Sequence, residues 1–397
     1  MSEAEDIASK EIVAYFQPII AADTNTIYSY EVLGRYMDGG VAKSLGPFFS
    51  AASSKEALKV DRIVRESALR QFAKEGKGEY LFVNLRLDWL AQYADRPEEL
   101  PTILWAKEFG IDLHQLVIEI TEEEFIDDNE AFAKVIAYYR DAGCRIAIDD
   151  YGRNASHIDR LALISPDILK IDMSYIHRSE GSYHYREYLK SLTSFAEQVG
   201  IEVLYEGIET PGQLDICIAS RGRFYQGFLL AKPQPSIKDA VTDHRIFSMS
   251  TQRFIKAQQE DFSSAINQYD FWDAMVESFI RKNGSDFLLE DSNSYLFRFC
   301  HWLPVRIKRV YVCNRHGDQL SHNLEVEPEN IHWKDSRNKN WAWRSFFRDA
   351  MSAMDAGRKS YLTNVYRDVT TKEKIYTYIY KIQPDLYLFV DCLREEA

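Results

Sequence analysis

Residues 145–172 read RIAIDDYGRNASHIDRLALISPDILKID. The apolar run of RIAI stops at Asp149 and Asp150, a helical stretch follows at 156–164, and a second strand, DILKID, carries Lys170 at its end. Two strands separated by a helix imply a crossover and a parallel pair. The same arrangement recurs on both sides: IYSYEVLGR (27–35) with Glu31, YLFVNL (80–85) with Asn84, LVIEIT (116–121) with Glu119, VLYEGIE (203–209) with Glu206 and GRFYQGF (222–228) with Gln226. A hydrophobic strand has no packing reason to finish on a charge. One such ending usually meets water or caps the next helix; a series of them points to side chains converging on one face of a barrel.

Helical periodicity fills the intervals at 56–75, 129–142, 183–199 and 211–220. With YFQPII (15–20) as a further strand the set is complete for an α/β fold of the TIM-like (β/α)8 type, which takes about 250 residues. After AKPQPSI (231–237) the pattern becomes one long helical stretch to about residue 285. Strand candidates then return at 305–314, 360–369, 374–382 and 386–392, with a helix at WAWRSFFRDAMSAM (341–354) and a hairpin turn at NRHGDQL (314–320). The expected organisation is a barrel domain over 1–245, a helical linker over 246–288 and a smaller α+β domain over 289–397.

The 397 residues are 46% hydrophobic, enough for well-formed cores. The start, MSEAEDIASKEIVAYF, is acidic and has no apolar run of signal-peptide or membrane-span length, so the expectation is a cytoplasmic chain without membrane insertion. Five scattered cysteines without a CxxC pair argue against a disulfide framework or a thiolate zinc site. A net charge of −13 opposes binding of a nucleic-acid polymer, whereas a small anionic ligand is compatible if a metal ion offsets local charge.

Glu31, Asn84, Glu119, Asp149 and Asp150 form an all-oxygen set, which suits Mg2+ or Mn2+ better than zinc or copper. Adjacent Asp149 and Asp150 point to opposite sides of a regular strand, but at a bend both can reach metals a few ångströms apart, as a bridged two-metal site requires. Lys170 would hold and polarise a water, Glu206 would accept its proton or orient it, and Gln226 would hydrogen-bond it. The alternative for Lys170 and Glu206 is a structural salt bridge across the barrel mouth. Together these residues fit a metal-dependent hydrolase of a phosphate ester.

The chain resembles the EAL-domain family of cyclic di-GMP phosphodiesterases over about residues 10–240. The motifs occur in order: FQPI with Gln17, EVLGR with Glu31 and Arg35, VNL with Asn84, EITE with Glu119 and Glu122, IDDYG, LKID with Lys170 and Asp172, YEGIET with Glu206 and Glu209, and QGFLLAKP with Gln226 and Pro233. The resemblance implies two Mg2+ or Mn2+ ions, one held by Glu31, Asn84, Glu119 and Asp149, the second by Asp149 with Asp150. It implies catalysis by Lys170, Glu206 and Gln226, opening cyclic di-GMP to linear pGpG. It places Gln17, Leu33, Arg35, Asp172 and Pro233 against the ligand and gives Glu122 and Glu209 a loop-anchoring role. A homodimer is also implied.

Two departures matter. Val32 stands where the signature has alanine, and after Asp150 the chain reads Tyr151-Gly152-Arg153-Asn154 where relatives commonly have Phe-Gly-Thr-Gly. In the family that loop couples dimerisation to metal binding, so a non-catalytic cyclic di-GMP receptor stays open as the alternative. Residues 289–397 resemble a PAS- or Cache-like sensor domain, whose small ligand or protein partner the sequence leaves unidentified. Trp341, Trp343, Phe346 and Phe347 read either as a pocket lining or as ordinary core. No GGDEF-type cyclase motif occurs.

Overall fold

A computed structural model describes the chain apart from residues 1–6, 8, 87–88, 90, 122–129, 153–157, 285–291, 304–306, 328–329, 338 and 395–397. It divides into two compact units, Met1–Lys256 and Ala257–Ala397.

The first unit is a closed eight-stranded barrel of β1 (Ile12–Ala21), β2 (Thr26–Asp38), β4 (Tyr80–Asn84), β5 (Leu116–Thr121), β6 (Arg145–Tyr151), β7 (Ile168–Ile171), β8 (Glu202–Tyr205) and β9 (Phe224–Tyr225), with β3 (Val41–Ser44) added outside the ring as a hairpin on β2. Strands β2 and β4–β9 run parallel. Strand β1 is antiparallel to both neighbours, so the barrel departs from strict (β/α)8 repetition. The reason is local: no helix separates β1 from β2, and the chain reverses directly through a turn where Asn25 adopts φ +52°.

Helices α1 (Gly46–Ala51), α2 (Ser54–Glu75), α3 (Pro101–Phe109), α4 (Glu130–Asp141), α5 (Ile158–Ile164), α6 (Met173–Gly181), α7 (Tyr183–Gln198) and α8 (Pro211–Ala219) accompany the ring. Sequence periodicity anticipated α2, α4, α5, α7 and α8 but not α1, α3 or α6. Their ends follow capping chemistry: Ser53 with Glu56, and Thr210 with Gln213, form capping boxes at α2 and α8.

Alternation along the strands builds the interior in two layers. Ile19, Phe82, Val117, Ala147, Ile168, Leu204 and Phe224 pack together as one apolar cluster. Two residues further along each parallel strand stands a polar group: Asn84, Glu119, Asp149, Lys170, Glu206 and Gln226. In antiparallel β1 the order is inverted, and Gln17 precedes Ile19. The residues between them, such as Ile118, Ile120, Ile146 and Ile148, face the large core beneath the helices.

Helix α9 (His244–Asn283) contributes to both units: Phe247 belongs to the core of the first, and Trp272, Val276 and Phe279 to that of the second. The second unit contains an antiparallel sheet of β10 (Ile307–Asn314), β11 (Asn323–Glu327), β12 (Asn330–Lys334), β13 (Ser360–Leu362), β14 (Tyr366–Arg367), β15 (Lys374–Gln383) and β16 (Leu386–Leu393). On one face, α9 and α10 (Ser292–Trp302) cover Val310, Val312, Tyr378 and Val390; on the other, α11 (Ser345–Asp355) covers Tyr311, Cys313, Ile379 and Phe389. Helix α10 and strands β11 and β12 went unread in the sequence, and the strand expected over 360–369 is two short strands. The four aromatics at the start of α11 and just before it separate: Phe347 is core, Trp341 and Phe346 pack at its edge, and Trp343 is 70% exposed.

Candidate active and metal-binding site

The open end of the barrel gathers four carboxylates around one ammonium. Lys170 is completely buried, with Nζ 2.5 Å from Glu119 Oε1, 2.8 Å from Glu206 Oε1, 3.0 Å from Asp149 Oδ1 and 3.4 Å from Glu31 Oε1. Each group is delivered by its strand. Asn84 and Glu119 are register partners on β4 and β5, and Gln17 is opposite Glu31 on β1 and β2. Glu31 does not end its strand as expected, since β2 runs on to Asp38. Gln226, just past β9, donates from Nε2 to Glu31 Oε2 at 2.6 Å.

Asp149 and Asp150 sit at a β-bulge. Ile148 pairs with Leu169 and Tyr151 with Ile171, so the two aspartates together oppose Lys170 alone. Asp150 takes φ +55°, and its backbone N–H donates to its neighbour's Asp149 Oδ1 at 2.9 Å. The bulge breaks the in-out alternation that a regular strand would impose on adjacent acids.

The donor set fits a divalent cation. One oxygen each from Glu31, Glu119 and Asp149 lie within 4.8 Å of one another. At that separation two ionised carboxylates repel by about 3 kcal/mol at an effective dielectric near 20, and one lysine cannot neutralise four acids. Both Glu119 oxygens are buried, and Lys170 at 2.5 Å is the cation against them. Burial pushes the Glu119 carboxyl well above its ordinary range, Lys170 pulls it down, and Glu31 and Asp149 raise it again. Glu206 is raised by burial in the same way, against the pull of Lys170. For Lys170, burial acts to lower the pKa but the surrounding acids outweigh it, and the ammonium is held well above its usual value. Asp150 lies outside the close carboxylate trio.

Beside this cluster is a cavity of about 310 Å3 lined by Leu33, Arg35, Asn84, Arg86, Trp89 and Thr121, among others. Burial lowers the Arg35 pKa, opposed by Glu31, and its guanidinium lies 5.8 Å from the Tyr15 ring centroid. The same wall includes the buried ion pair of Asp61 and Arg65 on α2. Sequence reasoning missed Asp61, Arg65, Arg86 and Trp89. The signals available were the i,i+4 acid–base spacing in α2, a basic residue directly after VNL and an aromatic residue three positions beyond it.

The remaining expected residues are placed differently. Gln17 is buried and donates to the Ala231 carbonyl at 3.2 Å. Asp172 caps α6, accepting from Ser174 N at 2.8 Å. Pro233 precedes Gln234, which is bridged to Phe16 of β1. Glu209 is exposed, and its backbone N–H donates to Gln213. Glu122, Arg153 and Asn154 lie outside the described residues.

Residues 2–233 match the EAL domain family, more than half of the chain. The chain belongs to the EAL domain family. Beyond this EAL domain, residues 237–395 match the EAL-domain associated signalling protein domain. The chain is 32% identical to the EAL-domain containing protein YkuI of Bacillus subtilis over 391 residues, 96% of this chain and 94% of YkuI. The crystal structure of YkuI in complex with substrate c-di-GMP and calcium superposes with a TM-score of 0.90 at 29% identity, covering 100% of both chains. The EAL domain is also 26% identical to the cyclic di-GMP phosphodiesterase RocR of Pseudomonas aeruginosa over 231 residues, 57% of this chain and 58% of RocR. A manganese and cyclic di-GMP complex of Klebsiella pneumoniae BlrP1 matches with a TM-score of 0.50 at 25% identity, over 58% of this chain and 57% of that one. Among the described residues no helix is long and apolar enough to cross a membrane.

Proposed function

We propose that this protein hydrolyses cyclic di-GMP to linear pGpG in a reaction that depends on two Mg2+ or Mn2+ ions. The observation that carries the reading is the trio of Glu31, Glu119 and Asp149 carboxylates gathered beside a cavity containing Arg35. The names of its relatives support it: RocR is a cyclic di-GMP phosphodiesterase, and YkuI and BlrP1 have been crystallised with that dinucleotide and calcium or manganese.

Glu31, Asn84, Glu119 and Asp149 would hold one cation and Asp149 with Asp150 the second. Bound there, divalent ions supply Lewis acidity toward the phosphoryl oxygens and make water a better nucleophile near neutral pH. The chain's own groups do the rest. Arg35 binds non-bridging phosphate oxygens through its planar fork. Glu206 accepts the proton of the attacking water, and Lys170 holds the acids and the water in register. Gln226 fixes the Glu31 carboxylate. The water oxygen forms the new bond to phosphorus, the bond to the ribose 3′-oxygen breaks, that oxygen takes up a proton from solvent, and Glu206 returns the proton it accepted to solvent.

The second unit acts as a PAS- or Cache-like sensor for a small ligand or protein partner, in a cytoplasmic homodimer. Incubation with cyclic di-GMP and Mn2+, followed by chromatography of pGpG, tests the proposal, with Glu31→Ala as the inactive control. The substitutions at Arg153 and Asn154 favour one second reading, a cyclic di-GMP receptor. Tight binding without turnover, with activity recovered on restoring Thr-Gly at 153–154, would select it.

A further inference from the structure

The loops that carry the site acids are packed against a single helical turn. Helix α6 starts directly after β7, capped by Asp172 and anchored by fully buried Ile176. Its Tyr175 ring packs against Gly152, two residues beyond Asp150: a Cβ at Gly152 would sit 2.3 Å from Tyr175 Cε2 and 2.8 Å from Cζ. Gly152 has φ +94°, so close approach of the ring and backbone conformation both require glycine there. Two residues before Tyr175 in the same turn, Met173 lies against Gly207, which follows Glu206; a Cβ at Gly207 would be 2.4 Å from Met173 Cβ.

Tyr175 is itself braced from α7. Tyr188 stacks on it at 5.2 Å between centroids, and Tyr185 meets it edge-on at 5.8 Å. Tyr188 is 38% exposed, so the aromatic column runs from the protein surface to the peptide after the aspartates. Offset and edge-on ring pairs of this kind add stability beyond their buried area and hold a fixed orientation. The bulge calls for such support, because Asp150 in the left-handed region, though better tolerated there than most residues, still carries a conformational cost.

We propose that Tyr175 is a positioning residue: its ring, held by Tyr185 and Tyr188, clamps Gly152 and thereby sets the Asp149–Asp150 bulge in the geometry that receives the cations, while Met173 supports Glu206 through Gly207. The inference rests on the metal-dependent reading of the site. The clamp is assigned to the packing of the ring, which Tyr175→Phe keeps.

The test uses the full chain with Tyr175→Ala, Tyr175→Phe and Tyr188→Ala. In metal-free protein, hydrogen exchange of peptides spanning 145–152 reports the clamp without reference to metal; calorimetric titration with Mn2+ alone reports its consequence. Tyr175→Ala should speed exchange at Tyr151 and Gly152 about tenfold, as for a segment released to local opening. It should weaken Mn2+ binding about tenfold, the low end of the loss on removing a support behind metal ligands. Tyr175→Phe should match the unsubstituted protein in both, and Tyr188→Ala should fall between. Native-like exchange in folded Tyr175→Ala, or equal losses in Tyr175→Phe, would overturn the proposal. If Tyr175→Ala does not fold, Tyr188→Ala decides: unchanged exchange over 145–152 rejects the clamp. Failure of the unsubstituted chain to take up Mn2+ would count against the proposed function, while the exchange measurement would still judge the clamp.

Discussion

Lys170 Nζ lies 2.5 Å from Glu119 Oε1, and neither side chain has any solvent exposure. The buried ammonium owes its charged form to the acids around it, since three further carboxylates lean on the same nitrogen. Removing the single cation is therefore a different perturbation from removing any one acid.

Lys170→Met should lower the unfolding free energy of the metal-free chain by roughly 3 kcal/mol, the usual cost of leaving a buried charge unpaired. Adding Mn2+ should recover part of that loss while leaving turnover abolished. Urea unfolding with EDTA or Mn2+ checks the first two points, and pGpG release the third.

Metal binding should itself appear as stability. A cation that binds the folded site only, present at about 100 times its dissociation constant, adds about 2.7 kcal/mol. Glu119→Gln should remove most of this increment, because Glu119 is the fully buried member of the carboxylate trio with Glu31 and Asp149. Thermal unfolding of both proteins across a Mn2+ titration reads the difference.

Arg35→Ala should weaken cyclic di-GMP binding by about 2 kcal/mol, the scale of a charge-assisted hydrogen bond to phosphate, and leave Mn2+ binding within twofold. Calorimetric titration of each ligand separately gives both values. Loss of metal binding in this variant would show that Arg35 supports the acids rather than the nucleotide.

The acids predict a pH dependence for the metal-free protein. Glu119 and Glu206 have folded pKa values raised above the ordinary 4.5, so between that value and the raised one the folded state holds more protons than the unfolded state. Stability from these groups then falls as pH rises above 4.5. Lys170, also raised, contributes stability that is complete below 10.5 and lost above it, so it stays constant across neutrality. Urea midpoints in EDTA should decrease from pH 5 to pH 8, and Glu119→Gln should flatten the trend.

What could be read in advance, and what could not, divides by range. A strand such as LVIEIT states its own facing pattern, because alternate side chains must point oppositely; Val117 and Glu119 inward and Ile118 and Ile120 outward follow from that alone. Helix α2 announces itself by a long apolar period and the Ser53–Glu56 capping box. Helix α6 is short and polar, marked locally only by its Asp172 cap, and the role of Tyr175 was correspondingly invisible. The reversed direction of β1 was missed because a short loop gives little signal, although Asn25 is a residue suited to such a turn.

The run of polar groups at strand positions was thus enough to set the fold class, the oxygen-rich donor set and the membership of Lys170, since each depends on neighbours within a few residues. Closure of the ring determined that Glu31, Glu119, Asp149 and Glu206 share one ammonium, because those contacts join strands as far apart as 139 residues along the chain. The two-for-one bulge opposite Lys170 belongs to the same category. So does the seating of Gly152 under Tyr175. Each depends on which backbone lies alongside which after the chain has closed on itself, and no local pattern of residues carries that information.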